Sequence, residues 1–160
     1  MVLLDHLMNA ISSGFHGKWT HLNPQKALAG LTSTIAKKKP NKIDYSCWDL
    51  LHHIVFWQDV IIRQLKGDLL DWNELEKKEN WPSPESMLDD SNFHQLLDRF
   101  SAGIKEAQNL LGGVDFSKTA GKWPELSAIK LYMVLLQHTS YHIGQIIVIR
   151  KYLGEWPTNT

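Results

Sequence analysis

Apolar residues recur at helical spacing along most of the chain. Leu3, Leu4, Leu7, Met8 and Ile11 fall three and four apart and predict a first helix over Val2 to Ser13, with Gly14 as its stop. Phe15 to Thr20 then reads as a loop with two aromatic anchors, Phe15 and Trp19. Asn23 before Pro24 is an N-cap with proline at the first helical position, and it opens a second helical stretch through Ala27, Leu28, Leu31 and Ile35. That stretch ends in Lys37-Lys38-Lys39-Pro40, where cations complement the C-terminal end of the helix dipole; the other reading of the run is an anion site.

Ser46-Cys47-Trp48-Asp49 has the spacing of a capping box, with Asp in place of Glu, so a helix is expected to start at Ser46. It carries Trp48, Leu51, Val55, Ile62 and Leu65, and Gly67 can take the left-handed conformation that closes it. From Asp68 to Asp90 no period is sustained, and a long connection with one helical turn is expected; such connections often cover a site. Ser91 or Asn92 is expected to cap a further helix through Phe93, Leu96, Phe100, Ile104 and Leu111, stopped by Gly112-Gly113. Lys118 to Lys122 reads as a loop. The last helix is expected from near Pro124 to about Leu153, ended by Gly154 and Pro157. No segment alternates with period two, so no sheet is expected. The fold class is therefore all-α: a four-helix bundle with additional short helical or loop segments, in one domain over residues 1–160.

Composition narrows the chemistry. With 43% hydrophobic and 21% charged residues the chain is ordinary for a globular protein. Seventeen basic residues balance seventeen acidic ones, so nothing in the net charge draws the chain to nucleic acid or to an anionic membrane. No apolar run is long enough for a spanning helix, and the N-terminus lacks the pattern of a secretory signal. The single cysteine, Cys47, excludes an intrachain disulfide and fits a reducing compartment, so a cytoplasmic location is expected. Cys47 reads either as packing or as a reactive thiol at a helix N-terminus. Nucleotide-binding and nucleophile-elbow patterns are missing, which leaves those chemistries without support.

The candidate chemistry lies near the C-terminus, in Gln137-His138-Thr139-Ser140-Tyr141-His142-Ile143-Gly144-Gln145. On a helical wheel Leu131, Leu135, His138, His142, Gln145 and Ile149 share one face, and histidines four apart project one turn from each other, the spacing two imidazoles need to hold one ion. Satisfied core histidines are the alternative, since an unpaired buried polar group costs about 1–3 kcal/mol. A third ligand has two candidates in the helix after Ser46. His52 and His53 point about 100° apart and cannot easily share an ion; the wheel leans toward His53 without deciding. Asp49, one turn earlier, reads as an acceptor for the free ring nitrogen of His53 or simply as an N-terminal helix charge. Tyr141 and Gln145 could line the open side of the site, with packing the alternative for Tyr141. His6, His16, His21 and His94 read as surface or loop residues.

Trp48-Asp49-Leu50-Leu51-His52-His53-Ile54 with Trp57, followed much later by His138-Thr139-Ser140-Tyr141-His142-Ile143-Gly144-Gln145-Ile146, Arg150 and Leu153-Gly154, resembles the DinB/YfiT-like superfamily of metalloenzymes. Phe15-His16-Gly17-Lys18-Trp19 adds a weaker likeness. The resemblance covers most of the chain and implies a four-helix bundle in which three histidines bind a divalent metal, nickel or zinc. The histidine before a hydrophobic residue corresponds to His53, and the other two to His138 and His142. Three protein ligands leave positions for water or substrate. The resemblance also implies a thiol-dependent S-transferase using a small cytoplasmic thiol, or a metal-dependent hydrolase, working as a homodimer on a small-molecule substrate. It assigns no catalytic residue. A non-catalytic metal- or haem-binding bundle is the alternative function.

Overall fold

The structure, a computed structural model, describes residues 2–118 and 126–157. Seven α-helices lie among the described residues: α1 (Val2–Gly14), α2 (Pro24–Leu28), α3 (Ser33–Ala36), α4 (Cys47–Leu65), α5 (Trp72–Glu79), α6 (Asp90–Leu110) and α7 (Ala128–Tyr152), with a 3-10 turn at Glu85–Met87. No described residue belongs to a β-strand. The four long helices, α1, α4, α6 and α7, make the expected bundle. The expected loop over Lys118 to Lys122 and the helix start near Pro124 fall largely outside the described residues; within them, α7 is capped by Ser127, whose hydroxyl accepts from the Lys130 amide.

Helix α4 is the central element, packed on α7 along one side and on α6 along the other. Fourteen of its nineteen residues are buried. Trp48, Leu50, Leu51, Ile54, Val55, Ile61 and Ile62 join Phe93, Phe100 and Ile104 of α6 and Leu131, Leu135, Ile143 and Ile146 of α7 in one core. Fully burying such a side chain contributes about 1.5–3 kcal/mol. Its start is fixed by the complete capping box: the Ser46 hydroxyl accepts from the Asp49 amide, and the Asp49 carboxylate accepts from the Ser46 amide at 2.8 Å. Gly67, at φ +95°, closes the far end as expected.

Four expectations change. The stretch after Asn23 is two short helices, because Gly30 turns the chain at φ +70° and the Thr32 hydroxyl then starts α3 by accepting from the Ile35 amide. Helix α6 begins earlier than Ser91, since the Asp89 carboxylate takes the Ser91 amide. The connection from Asp68 to Asp90 contains the two turns of α5 as well as the 3-10 turn, with Asp71 as the α5 cap. Trp19 is no anchor: Phe15 is buried, but Trp19 is 92% exposed. The lysine run is explained by local carboxylates, Lys37 with Asp90 at 2.7 Å, Lys38 with Glu155 at 2.6 Å and Lys39 with Asp49 at 3.4 Å.

Candidate metal centre

His53 on α4 and His138 and His142 on α7 meet at the seam between the two helices, offering one ring nitrogen each within 4.8 Å of one another. The Nε2 atoms of His53 and His138 are 3.0 Å apart. Two nitrogens bound to one zinc at about 2.0–2.1 Å stand roughly 3–3.4 Å apart, so this pair already has ligand-like spacing. The histidines of α7 lie beside its buried stripe of Leu135, Thr139, Ile143 and Ile146 rather than within it; His138 and His142 are half-buried and His53 is buried.

Hydrogen bonds set the chemistry of two of these rings. His53 Nδ1 donates to Asn80 Oδ1 at 2.6 Å, and His142 Nδ1 donates to Gln145 Oε1 at 2.6 Å. An amide oxygen can only accept, so both rings keep Nδ1 protonated and carry the lone pair on Nε2. Gln145 is held in turn by its amide nitrogen, which donates to the Tyr45 hydroxyl at 3.2 Å. His138 differs: its Nδ1 is buried without a partner. Burial lowers the proton affinity of all three rings. For His138, burial and then the neighbouring His142 and His53 bring the pKa down to about 3; for His53 and His142 burial is again the leading cause. Neutral imidazoles are the form in which histidine binds a divalent ion, and here one ring nitrogen of each lies within 4.8 Å of the others.

Of the two adjacent histidines only His53 meets the pair on α7, and α5 holds the other. His52 turns away and its Nε2 donates to the Glu79 carbonyl at 2.8 Å, whereas His53 faces α7. Asp49 does not serve His53, because its carboxylate is taken by Ser46 and Lys39. Asn80 fills that role instead. Nothing local in the sequence distinguished Asn80; the only signal was the length of the connection that carries it. Each ring of the triad also has its own aromatic neighbour. Trp81 stacks on His53 at 4.5 Å and 10°, Trp57 stands 6.4 Å from His138, and Tyr141 meets His142 edge-on at 4.9 Å. Tyr141, 65% exposed, lies at the solvent side and is not a core residue. His6, His16, His21 and His94 are all exposed, and none joins the cluster. Cys47 is fully buried, its thiol pushed up to about 12 by desolvation, which favours packing over reactivity.

The DinB superfamily model matches residues 21–146, a span that holds all three histidines together with Asn80 and Gln145. The chain belongs to the DinB superfamily. Searches of curated proteins and of solved structures return no match. The two histidines of α7 and the one of α4 thus occupy a DinB bundle in which three histidines near one another fit a bound metal ion. No helix of the described residues is long and apolar enough to cross a membrane.

Proposed function

We propose that this DinB protein binds one divalent metal ion, nickel or zinc, through His53, His138 and His142, and that the open side of the site serves a reaction of a small thiol with an electrophilic substrate. The observation that carries the reading is the pair of amide acceptors, Asn80 and Gln145, which hold the ring proton of His53 and His142 on Nδ1 and leave Nε2 unprotonated, the form that can ligate a metal. A bound divalent ion supplies a Lewis acid that lowers the pKa of a coordinated thiol or water. The chain's own groups orient the three rings, keep them neutral, and border the solvent side with Trp81 and Tyr141. Hydrolysis by a metal-activated water is the neighbouring reaction on the same site. The haem alternative is disfavoured, since the histidine rings stand 4.5–4.9 Å apart and leave no room for a porphyrin between them.

Metal analysis after reconstitution with nickel or zinc tests the site. One equivalent per chain is expected in the wild type and far less in His142→Ala or His53→Ala; equal metal in wild type and variants overturns the assignment. Loaded protein is then expected to accelerate S-transfer from a small thiol to an aryl halide more than hydrolysis of a matched ester, and the reverse order favours the hydrolase. A homodimer belongs to the same proposal. The exposed side of α7 presents Val134, Tyr141, Val148 and Tyr152, an apolar strip in reach of a second copy. Sedimentation analysis is expected to give a dimer that Val148→Glu weakens; a wild-type monomer at micromolar concentration refutes it.

A further inference from the structure

A cavity of about 610 Å3 lies between α4, α5 and α6, on the side of α4 turned away from α7. Its aliphatic and phenyl lining is Val55, Phe56, Val60, Ile62 and Leu75. Phe56 and Val60 belong to a small core of their own, closed by Leu70, so the cavity has a packed base. Two features join it to the histidine triad. His52 lines the cavity while its chain neighbour His53 belongs to the triad, the two side chains turned about 100° apart by the helix. Trp81 also lines the cavity, and the same ring lies flat on His53. Trp81 is 48% exposed, so one face supports the triad and much of the rest stays open to a bound molecule.

The rim carries charge, yet its cations are matched. Arg63 pairs with Asp68 at 3.0 Å, Lys78 with Glu74 at 3.7 Å, Lys66 with Glu106, and Arg99 with Asp59. A phosphate or carboxylate entering the cavity would compete with a carboxylate already at each of these cations. The base, by contrast, rewards apolar surface at about 25 cal/mol per Å2 removed from water. A pocket of this volume, with an apolar base at Phe56 and Val60 beneath a polar rim, suits a compact organic group.

We propose that this cavity binds the body of the substrate: an uncharged aromatic or alkyl group on the same molecule whose donor head meets the metal centre, with Trp81 as the specificity-determining wall common to both. This rests on the metal reading above. The head stays at the His53, His138 and His142 side of Trp81, and the body extends past its edge over Val60 and Leu75.

The test compares two thiols on zinc-reconstituted protein by calorimetry, with zinc content measured in every sample. Ethanethiol reports the head site alone, and 4-phenylbutane-1-thiol reports head and body together. Wild type is expected to bind the aryl thiol more tightly by at least about tenfold, the effect of burying its added apolar surface. Leu75→Trp, which fills the cavity from α5, is expected to bring the ratio to within about threefold at unchanged zinc content, and Trp81→Ala, which removes the shared wall, to do so per bound zinc, since that ring also rests on His53. Circular dichroism identifies a variant that fails to fold, and the other variant then decides. A wild-type ratio near one, or a ratio that survives in the folded variants, overturns the cavity assignment while the metal centre stands. A wild type that takes up no zinc or nickel overturns both, and the zinc measurement tells the two failures apart.

Discussion

A histidine holds a metal through whichever nitrogen bears its lone pair, and the hydrogen bond on the other nitrogen decides which that is. For His53 and His142 the deciding groups are Asn80 and Gln145, both carbonyl oxygens at 2.6 Å. Asn80→Ala and Gln145→Ala are expected to weaken metal binding about 10–100-fold each, with Asn80→Asp retaining more affinity because it keeps an acceptor. Competition with a fluorescent chelator measures this, and unchanged affinity in both alanine variants would remove the orienting role. At this scale the sequence was legible unevenly. Gln145 sits one turn from His142, so helical spacing brings it into view. Asn80 lies on a different segment from His53, and only the fold of the intervening chain makes them neighbours. Asp49 had the right spacing from His53, but the cap at Ser46 claims its carboxylate first.

At the scale of elements, α4 is shared by two interfaces. Against α6 the approach is close at Gly103, where an added Cβ would come within 2.5 Å of the Gln58 side chain. Gln58 is buried, and its amide donates to the Phe100 carbonyl at 3.2 Å, so it has little room to move. Gly103→Ala is expected to cost about 1–3 kcal/mol through overpacking, less the ~1 kcal/mol that alanine returns as a better helix former. Adding Gln58→Ala should recover part of that loss, because the two positions are in contact. Urea denaturation of the single and double variants measures the coupling, and strict additivity would show that the contact is not tight. The helix start at Ser46 and its stop at Gly67 were readable from residue type, since caps are local chemistry. The break at Gly30 and the turns of α5 were less readable, because short helices bury too little for a clear period.

On the scale of the molecule, the triad ties α4 to α7 across the bundle, so a metal that binds only the folded chain stabilises the whole. Chelation is expected to lower the thermal midpoint, with about 2.7 kcal/mol lost if the free metal had stood at 100 times its Kd. In the metal-free protein the sign of the pH dependence follows from the lowered histidine pKa values. The unfolded chain takes up protons below about 6.5 while the folded His138 resists until about 3, so stability falls as the pH drops through that window and is flat above it. Denaturant titrations from pH 7.5 to 4.5 measure the slope. A metal-free protein whose stability does not fall over that range would mean the histidines are more open to water than the structure has them.

The sequence by itself determined the helical class, the main caps and the two-histidine face of α7, because these follow from spacing and from hydrogen bonds a few residues long. With the family resemblance it also pointed to His53. The tertiary structure decided what required distant segments to meet: His53 turned toward α7 and His52 toward Glu79, Asn80 as the orienting partner, and Trp81 as the wall between the histidines and a cavity. Those contacts depend on how the chain from Asp68 to Asp90 lies across α4, and no local propensity specifies such a path.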